Sequence, residues 1–384
     1  MSFSVDGVTM RFRSWGRAAA GRALIALILV AAVGTCAWLL VEPPQERVEA
    51  AADVVPPVPE GGNAAPAAAP TVLEPNAPEQ PQAPQERGRS ELETWAAGLS
   101  GPLDIPERAL IGYATGELTL REEQPGCHLS WVTLAGIGKA SSDHGRFGGG
   151  SLDAEGRATT ALRAVPLTGA AGEAAREARI GPMQLTQAEW QRADVQGDPQ
   201  DIDDAAIAAG RTLCSGGTDL QAGQGWWNAI KDYRRSDLFR QQALGNAQLY
   251  AQLSLDPATA SSPSVRATRF ALDQLGLPYV WGGNGPDAGA AGFDCSGLTK
   301  AAYDSAGVDL LRTADMQFRS VPHVDEPQMG DLVFYGNPAT RIHHVGLYLG
   351  NGLMINAPTQ GMAIQIATYR TPTDDYAGAG RPAS

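Results

Sequence analysis

The sequence predicts a multidomain protein with an N-terminal transmembrane helix, a mostly α middle domain and an α+β C-terminal domain. Three observations lead to this prediction. An uncharged apolar run occupies residues 23–41, and a Pro- and Ala-rich segment follows it over residues 42–89. A polar joint at residues 254–264 then separates a region of helical spacing from a region of short β-type runs. The 384 residues are enough for two or three domains.

The apolar run ALIALILVAAVGTCAWLLV at residues 23–41 has the length of a membrane span. A helix rises about 1.5 Å per residue, so about 20 apolar residues cross a bilayer. Four arginines in residues 1–22 place that stub in the cytoplasm and the later domains outside it. A cleaved signal peptide is the alternative, although its apolar region is usually about 7–15 residues long. We expect an uncleaved, single-pass anchor in the cell membrane.

The segment that follows the anchor, residues 42–89, is dominated by Pro, Ala, Glu and Gln. A segment of this composition has few apolar side chains to bury, and it favours extended, polyproline-like states. We interpret it as a spacer that carries the outer domains away from the membrane. The whole chain has a net charge of -13, from 29 Lys+Arg against 42 Asp+Glu. This acidity argues against nucleic acid as a partner, because phosphate binding needs a basic face.

Residues 90–253 carry helical spacing in several stretches, among them Trp131 to Ser141, and few strand signals. Thr186 and Glu189 form a capping-box pattern at a helix start. An acidic run between Asp194 and Asp204 lacks the spacing of an EF-hand loop, so we interpret it as a solvated loop that leads into a helix. This region is therefore a mostly α domain without a predicted metal site.

Residues 265–384 combine one helix with short β-type runs such as DLVFY, HHVGLYLG and LMINA. Cys295 lies just before the helical stretch KAAYDSAG. A thiol at a helix N-terminus faces unpaired backbone N–H groups and the positive end of the helix dipole, which favour the reactive thiolate. A neighbouring histidine can accept the proton, and His344 in the run HHVGLYLG is the candidate.

The register of the hairpin after His344 decides which side chain can orient it. In a strand, His344 and Gly346 face one way, and the glycine leaves room beside the imidazole for a substrate. The signal Gly350-Asn351-Gly352 predicts the turn. A three-residue loop places Asn356 on the face of His344, whereas a two-residue loop places it on the other face. If Asn356 orients the base, the loop must have three residues.

Five ordered motifs, LPYVWGGNG, GFDCSGL, MGDLVFY, HHVGLYLGNG and MINAP, resemble the NlpC family of cell-wall cysteine peptidases over residues 262–384. The resemblance implies a papain-like core and hydrolysis of a γ-D-glutamyl bond to the diamino acid of the stem peptide. Cys295 is then the nucleophile, His344 the base and Asn356 the residue that orients it. The resemblance also implies that Tyr279 helps to bind the oxyanion and that Asp294 and Ser296 contact the substrate.

Three other interpretations of this site deserve comparison. A cysteine at a helix start can be structural, and His343 with His344 can form a weak metal pair. The CHAP amidase family also uses Cys and His. The motifs FDCSGL and GDLVFY favour the NlpC family over all three interpretations. We expect no cofactor and no metal.

Residues 100–253 resemble lytic transglycosylases, in pieces such as LSWVTLAGIGKASSDHGR, IGPMQLTQAEW and GWWNAIKDYRRSDLF, which implies a lysozyme-like fold. That family cleaves glycans with a single Glu, whose place is taken here by Ser141. A serine hydroxyl cannot act as the acid that glycosidic cleavage needs. Arg234 replaces the amide that contacts sugar, and Glu117 or Asp143 are unsupported substitutes for the acid. We therefore expect a glycan-binding domain without cleavage.

The cysteines fit an exported protein. Outside the cytoplasm, cysteines usually form disulfides or take part in the chemistry of a site. With Cys36 in the apolar run and Cys295 assigned to catalysis, Cys127 and Cys214 remain as a predicted disulfide. The sequence thus predicts a membrane-anchored protein that remodels peptidoglycan. The competing class is a wall-spanning structural subunit of a conjugation or secretion apparatus, whose machinery would then be a partner.

Overall fold

The computed structural model describes residues 76–84 and 89–382, which belong to one compact unit. The predicted cytoplasmic stub (1–22), the anchor (23–41) and most of the linker lie outside the described residues. Within the described ranges, no helix combines the length and the apolar character that a membrane span needs. The prediction of an anchor therefore stays a prediction.

The first part of the described chain, residues 89–255, is almost entirely helical. Its helices are α1 (Arg89–Leu103), α2 (Glu107–Glu123), α3 (Trp131–Ser142), α4 (Gln187–Ala193), α5 (Ile202–Leu213), α6 (Gly223–Tyr233) and α7 (Asp237–Leu255). Short 3-10 turns occur at Pro125–Cys127, Phe147–Gly149 and Ser215–Gly217, and two short strands, β1 (Arg179–Ile180) and β2 (Leu185–Thr186), form an antiparallel hairpin. The expectation of a mostly α region agrees with this architecture.

Helix α3 is the centre of the helical part. Eleven of its 12 residues are buried, and it packs against α2 and α7. The predicted capping box of α4 is present: the Thr186 hydroxyl accepts the N–H of Glu189, whose carboxylate accepts the N–H of Thr186. Cys127, before α3, and Cys214, after α5, form a disulfide. The bond links two segments that are 87 residues apart.

The second part of the described chain combines helices with an antiparallel sheet. The helices are α8 (Pro263–Asp273), α9 (Cys295–Ser305) and α10 (Ala314–Ser320), with a 3-10 turn at Pro286–Ala288. The strands are β3 (His323–Val324), β4 (Leu332–Asn337), β5 (Arg341–Gly350), β6 (Leu353–Asn356), β7 (Gln365–Thr368) and β8 (Tyr376–Gly380). They form one sheet in the order β3-β8-β4-β5-β6-β7, and helices α9 and α10 pack against β5.

The β5–β6 hairpin reaches its register in a way that the sequence did not indicate. Its turn has two residues, Asn351 and Gly352, both with positive φ, and Gly350 pairs with Leu353. A register shift between Tyr348 and Gly350 then brings Leu347 opposite Ile355. The condition that Asn356 can share the face of His344 only through a three-residue loop is therefore wrong. The bulge supplies the extra residue instead, so the register is the one that a three-residue loop would give.

The joint predicted at residues 254–264 is short and packed. A 3-10 turn at Pro257–Ser261 connects α7 to α8 and lies against α1. Helix α7 also contacts β5 and β7, and the Oε1 atom of Gln241 on α7 accepts the N–H of Ile366 on β7 at 2.7 Å. The helical and α+β parts are therefore joined by a common interface.

The end of the predicted spacer is not a free tether. Within residues 76–84, Ala77 and Ala83 are buried and belong to the same hydrophobic core as the helices and the sheet. The prediction that residues 42–89 are only a spacer is therefore wrong for this stretch. The local composition is that of an extended chain, and only tertiary packing shows that it is bound.

Candidate active site

Cys295 is the first residue of helix α9, as its sequence context predicts. The preceding residue, Asp294, is the N-cap, and its Oδ1 atom accepts the N–H of Gly297 at 2.7 Å. Helix α9 packs against strand β5, and the backbone N–H of Val345 on that strand lies close enough to the Cys295 sulfur to lower the pKa of the thiol. Val345 follows His344 directly, so the predicted nucleophile lies beside the strand residue next to the predicted base.

The thiol of Cys295 is held in its neutral form. Burial raises the pKa of Cys295 to about 11, and the neighbouring Asp294 carboxylate adds to the increase. The backbone N–H groups of Val345 and Ser296, together with Arg312, oppose it. The expectation that the helix N-terminus favours the thiolate is therefore not met. Loss of hydration raises the pKa of the thiol by more than these donors lower it.

His344 lies on β5 opposite Tyr335 on β4, and the centroids of the two rings are 5.7 Å apart. Its side chain is buried. Burial lowers the pKa of His344 to about 4, the neighbouring His343 adds to the decrease, and Asn356 and Asp375 oppose it. At neutral pH the imidazole is therefore uncharged and can accept a proton.

Asn356, the last residue of β6, lies next to His344. Among the groups that oppose the fall in the pKa of His344, the Asn356 side chain has the largest influence. The Nε2 atom of His344 and both polar atoms of the Asn356 amide are buried, and they have no partner within strict hydrogen-bond geometry. The contact is thus looser than an ideal hydrogen bond, as is common for catalytic pairs before substrate binds.

Gly346 does not leave open space for a substrate, contrary to the expectation from the sequence. A Cβ atom at this position would lie 2.6 Å from the sulfur of Met354 and 3.4 Å from the Cβ atom of Asn356. The glycine instead lets the β6 side chains approach β5 closely. It therefore helps to place Asn356 rather than to admit a ligand.

Tyr279 lies near the nucleophile on the loop between α8 and α9. Its backbone N–H donates to the carbonyl of Met362 at 2.9 Å, which fixes the loop against the segment that follows β6. Burial raises the pKa of Tyr279 to about 12, and the charge of an ionised Cys295 adds to the increase. Tyr279 therefore remains a phenol that can donate a hydrogen bond near the sulfur.

Asp294 is engaged by its own chain, and its predicted contact with substrate stays a prediction. Its Oδ1 and Oδ2 atoms accept both terminal nitrogens of Arg312, at 2.9 and 2.8 Å, in a two-pronged ion pair. Oδ2 also accepts the N–H of Gly282 at 3.1 Å. The Oγ atom of Ser296 accepts from Arg312 at 3.0 Å. The carboxylate and the hydroxyl therefore hold the loop, the helix start and the arginine together.

Arg312 is the site residue that sequence reasoning missed. It is 18 residues from Asp294 in the chain, and neither a motif nor a periodicity connects the two. A guanidinium matches a carboxylate in two parallel hydrogen bonds, which fixes both groups. The only signal in the sequence was an arginine close behind the nucleophile's helix.

His343, the other member of the suggested metal pair, is bound elsewhere. Its Nε2 atom lies 2.7 Å from Oδ2 of Asp375. Among the described residues, no cluster of three or more His, Cys, Asp or Glu side chains could hold a metal ion. His343 is therefore hydrogen-bonded to Asp375, and it lowers the pKa of the neighbouring His344.

Comparison with known proteins identifies the domain that contains these residues. Residues 276–380 match the NlpC/P60 family model. These residues form an NlpC/P60 domain. Members of the family are cysteine peptidases, and the predicted α+β, papain-like C-terminal domain is thereby confirmed. All predicted side chains of the cysteine site lie inside the matched range.

Three relatives match the NlpC/P60 domain. The gamma-D-glutamyl-L-lysine dipeptidyl-peptidase of Bacillus cereus is 39% identical over 113 residues, 28% of this chain and 33% of the relative. The peptidoglycan endopeptidase RipA of Mycobacterium tuberculosis is 38% identical over 114 residues, 27% and 24% of the two chains. The bifunctional muramidase/DL-endopeptidase CwlT of Bacillus subtilis is 43% identical over 96 residues, 24% and 28%. The matches thus span a third or less of these relatives.

The helical part lies outside the NlpC/P60 match, so its resemblance to lytic transglycosylases stays a prediction. Ser141, where that family has its acid, is at the end of α3 and 1% exposed. Its hydroxyl donates to the carbonyl of Met183 on the β1–β2 hairpin at 3.4 Å. Tyr233 donates to the same carbonyl at 2.6 Å. The hairpin therefore covers the position at which a glycan would need an acid.

Neither carboxylate considered as a substitute for that acid is available. Glu117 is 1% exposed and accepts hydrogen bonds from the backbone N–H groups of Ala83 and Trp131 and from Arg121. Asp143 pairs with Lys139 at 2.6 Å and with Arg146 at 2.9 Å. Burial raises the pKa of Asp143, but these two cations together lower it below its usual value. Burial raises the pKa of Glu117, although its hydrogen-bond donors oppose the rise. Both carboxyl groups are thus engaged by their own chain.

Arg234, which replaces the sugar-contacting amide, is buried against Phe239. Its guanidinium carbon lies 5.3 Å from the ring centroid. Burial, together with the nearby Arg179, lowers its pKa from the usual value. Arg234 therefore packs into the helical part, directly after Tyr233, whose hydroxyl donates to the same carbonyl as that of Ser141.

Proposed function

We propose that the protein is a peptidoglycan hydrolase whose NlpC/P60 domain is a cysteine endopeptidase. Its substrate is the γ-D-glutamyl bond to the diamino acid in the stem peptides of the cell wall. The observation that carries the proposal is the position of the Cys295 sulfur at the N–H of Val345, directly beside His344, within a domain of this family. The names of the relatives, a dipeptidyl-peptidase and peptidoglycan endopeptidases, support the same substrate class.

The reaction begins from a neutral pair. Because the pKa of Cys295 is about 11 and that of His344 about 4, the sulfur keeps its proton at pH 7 until it attacks. His344 then accepts the proton as the sulfur bonds to the carbonyl carbon. The carbonyl oxygen becomes an oxyanion, for which the phenol of Tyr279 is the proposed donor.

The remaining steps follow from the balance of protons. The imidazolium of His344 returns its proton to the leaving amine of the diamino acid, and a thioester with Cys295 remains. Water, activated by the neutral imidazole, hydrolyses the thioester and releases the γ-D-glutamyl carboxylate. In our proposal Asn356 holds the imidazole in the orientation that both transfers need.

The helical part is proposed to bind glycan strands without cutting them, since Ser141 cannot donate the required proton and the two carboxylates considered, Glu117 and Asp143, are engaged by other groups. The anchor and the spacer would hold the enzyme outside the cytoplasm at the membrane, next to its substrate. Conjugation or secretion machinery remains the proposed partner in a structural role. These elements extend beyond the matched domain.

Digestion of purified peptidoglycan tests the proposal. Mass spectrometry of the products should reveal new free amino groups on stem peptides with the unmodified protein and none with the Cys295→Ala variant. Glycan fragments with 1,6-anhydro ends should be absent from both digests. Equal stem cleavage by the two proteins would exclude the cysteine mechanism. Glycan fragments with 1,6-anhydro ends would show that the helical part cleaves glycan strands.

A further inference from the structure

Residues 76–84, which we name the strap, have the sequence pattern of a polyproline helix. Pro78, Pro81 and Pro84 occur at every third position. Proline fixes φ near -65°, and a polyproline helix has three residues per turn and no internal hydrogen bonds. Ala77 and Ala83, about two such turns apart, are only 8% and 3% exposed, whereas Gln82 is exposed. One face of the strap is therefore buried and another faces solvent.

The first turn of the strap is bound to the β5–β6 hairpin. The Nδ2 atom of Asn351 donates to the carbonyl of Ala77 at 2.6 Å, and the Nδ2 atom of Asn76 donates to the carbonyl of Asn351 at 3.0 Å. The neighbouring Gly352 lies so close that a Cβ atom would be 3.3 Å from the Asn76 amide. The hairpin that carries Asn356 at its other end is thus attached to the strap through its turn.

The rest of the strap is bound to the helical part by three more polar side chains. The N–H of Glu79 donates to Gln248 on α7 at 3.2 Å, Ser130 donates to the carbonyl of Pro81 at 2.8 Å, and the N–H of Ala83 donates to Glu117 on α2 at 3.2 Å. Each partner contacts the backbone rather than a side chain of the strap. A polyproline backbone leaves these groups unpaired, so it can be recognised in this way.

Glu117 indicates that this groove is a built site. Its carboxylate is buried and meets the strap at the point where the N–H of Trp131 and the guanidinium of Arg121 also donate to it. A buried carboxylate is costly unless donors surround it. The strap supplies one of these donors, so the groove and its occupant depend on each other.

We propose that Glu117, Ser130, Gln248 and Asn351 form a docking groove for a polyproline-type segment, and that its occupant is the chain's own linker. The strap fastens the linker across both parts of the folded unit and ties the hairpin of the active site to the helical part. The groove selects small residues six positions apart, because Ala77 and Ala83 fill its buried ends. This function is independent of whether the cysteine site cleaves peptidoglycan.

Amide hydrogen exchange of the full chain, resolved residue by residue, tests the proposal. We expect the amides of Glu79 and Ala83 to exchange at least tenfold more slowly than the amide of exposed Gln82. The variant Ala83→Pro removes the donor to Glu117 but keeps a backbone suited to polyproline. It should raise exchange at Glu79 by about three- to tenfold, as expected for the loss of one hydrogen bond.

A second variant changes the groove at the turn of the β5–β6 hairpin. Asn351→Gly keeps the left-handed turn and removes the side-chain donor to Ala77, so it should also raise exchange at Glu79. The matched control, Gln82→Pro, adds a proline on the exposed face and should leave exchange at Glu79 unchanged. Unprotected exchange at Glu79 and Ala83 in the unmodified protein would overturn the proposal. Equal effects of Ala83→Pro and Gln82→Pro would overturn it too.

Discussion

Two neutral side chains, Cys295 and His344, set the chemistry of this site at the scale of single residues. The spacing in the sequence indicated both, because a thiol at a helix start and a histidine in a strand are visible locally. The protonation states of the two side chains could not be predicted from the sequence. Burial depends on which segments cover the two groups, and these segments are far apart in the chain.

The lowered pKa of His344 predicts the acid side of the pH profile. The ratio kcat/KM should stay near its maximum at pH 6 and fall to half near pH 4, where the imidazole of the free enzyme becomes protonated. A pH series on a soluble stem peptide measures this. A half-maximum near pH 6.5, the ordinary value of histidine, would contradict the buried environment of His344.

The same group makes stability depend on pH. Its folded pKa of about 4 lies below the unfolded value near 6.5, so its stabilising contribution is complete above pH 6.5 and is lost as the pH falls towards 4. The loss by pH 4 is about 3 kcal/mol. Denaturant unfolding at pH 7 and pH 4.5 should give a larger decrease for the unmodified protein than for His344→Gln, which lacks the titrating group. Equal decreases would refute this contribution.

Arg312 is predicted to support the nucleophile through Asp294. Removing it by Arg312→Ala leaves the Asp294 carboxylate unopposed beside Cys295, so the pKa of the thiol should rise further. We expect kcat to fall about tenfold or more with little change in KM, because a displaced nucleophile loses much of the rate enhancement that correct positioning gives. The rate of alkylation by iodoacetamide against pH measures the pKa of the thiol directly.

Two variants separate positioning from general loss of stability. Arg312→Lys keeps the charge but not the two-pronged geometry, and should recover part of the activity. Arg319→Ala removes an exposed arginine that pairs with Asp315 on α10, and should leave the thiol pKa unchanged. If Arg312→Ala and Arg319→Ala alkylate identically across the pH range, Arg312 has no role at the nucleophile.

At the scale of elements, the β5–β6 hairpin decides whether Asn356 meets His344. The alternation of side chains and the Gly350-Asn351-Gly352 signal predicted a hairpin and two possible registers. The bulge between Tyr348 and Gly350 was not predicted, although Gly350, whose φ is 94°, has the conformational freedom that such bulges use. It arises from the fit of the whole sheet, and it converts a two-residue turn into the register that places Asn356 beside the imidazole.

Gly346 should be intolerant of a side chain. In Gly346→Ala the new methyl group would overlap the sulfur of Met354, so the free energy of unfolding should fall by about 1–3 kcal/mol. Activity should fall as well, since Asn356 is the next neighbour. Chemical denaturation and peptide cleavage measure the two effects.

Gly98 provides the matched control on an exposed position of α1. Nothing lies within 4 Å of a Cβ atom there, so Gly98→Ala should raise stability by up to about 1 kcal/mol through helix propensity. Activity should not change. A Gly346→Ala variant as stable as Gly98→Ala would mean that β5 and β6 are not packed as described.

At the scale of the whole molecule, the described chain behaves as one body rather than as two domains on a flexible joint. Composition correctly located the change from helices to the α+β part. It could not reveal that α7 packs against β5 and β7 or that the strap crosses between the two parts, because such contacts join residues more than 100 positions apart. Extended, Pro-rich sequence predicts an open chain unless a groove exists to bind it.

This common interface predicts a single unfolding event. Calorimetry should give one transition in which the helical and α+β parts melt together, and Gln241→Ala, which removes the bond to Ile366, should lower its midpoint without splitting it. Two separate transitions in the unmodified protein would contradict a shared interface. The disulfide between Cys127 and Cys214 should remain intact during the measurement.

Attack by the sulfur of Cys295 with His344 as base should leave a trappable acyl-enzyme. A stem peptide that contains the γ-D-glutamyl bond is mixed with the protein, quenched in acid within seconds and analysed by peptide mass mapping. We expect a thioester on the peptide that contains Cys295, absent from Cys295→Ala and depleted in His344→Gln. Cleavage of the stem peptide by Cys295→Ala at the rate of the unmodified protein would contradict it.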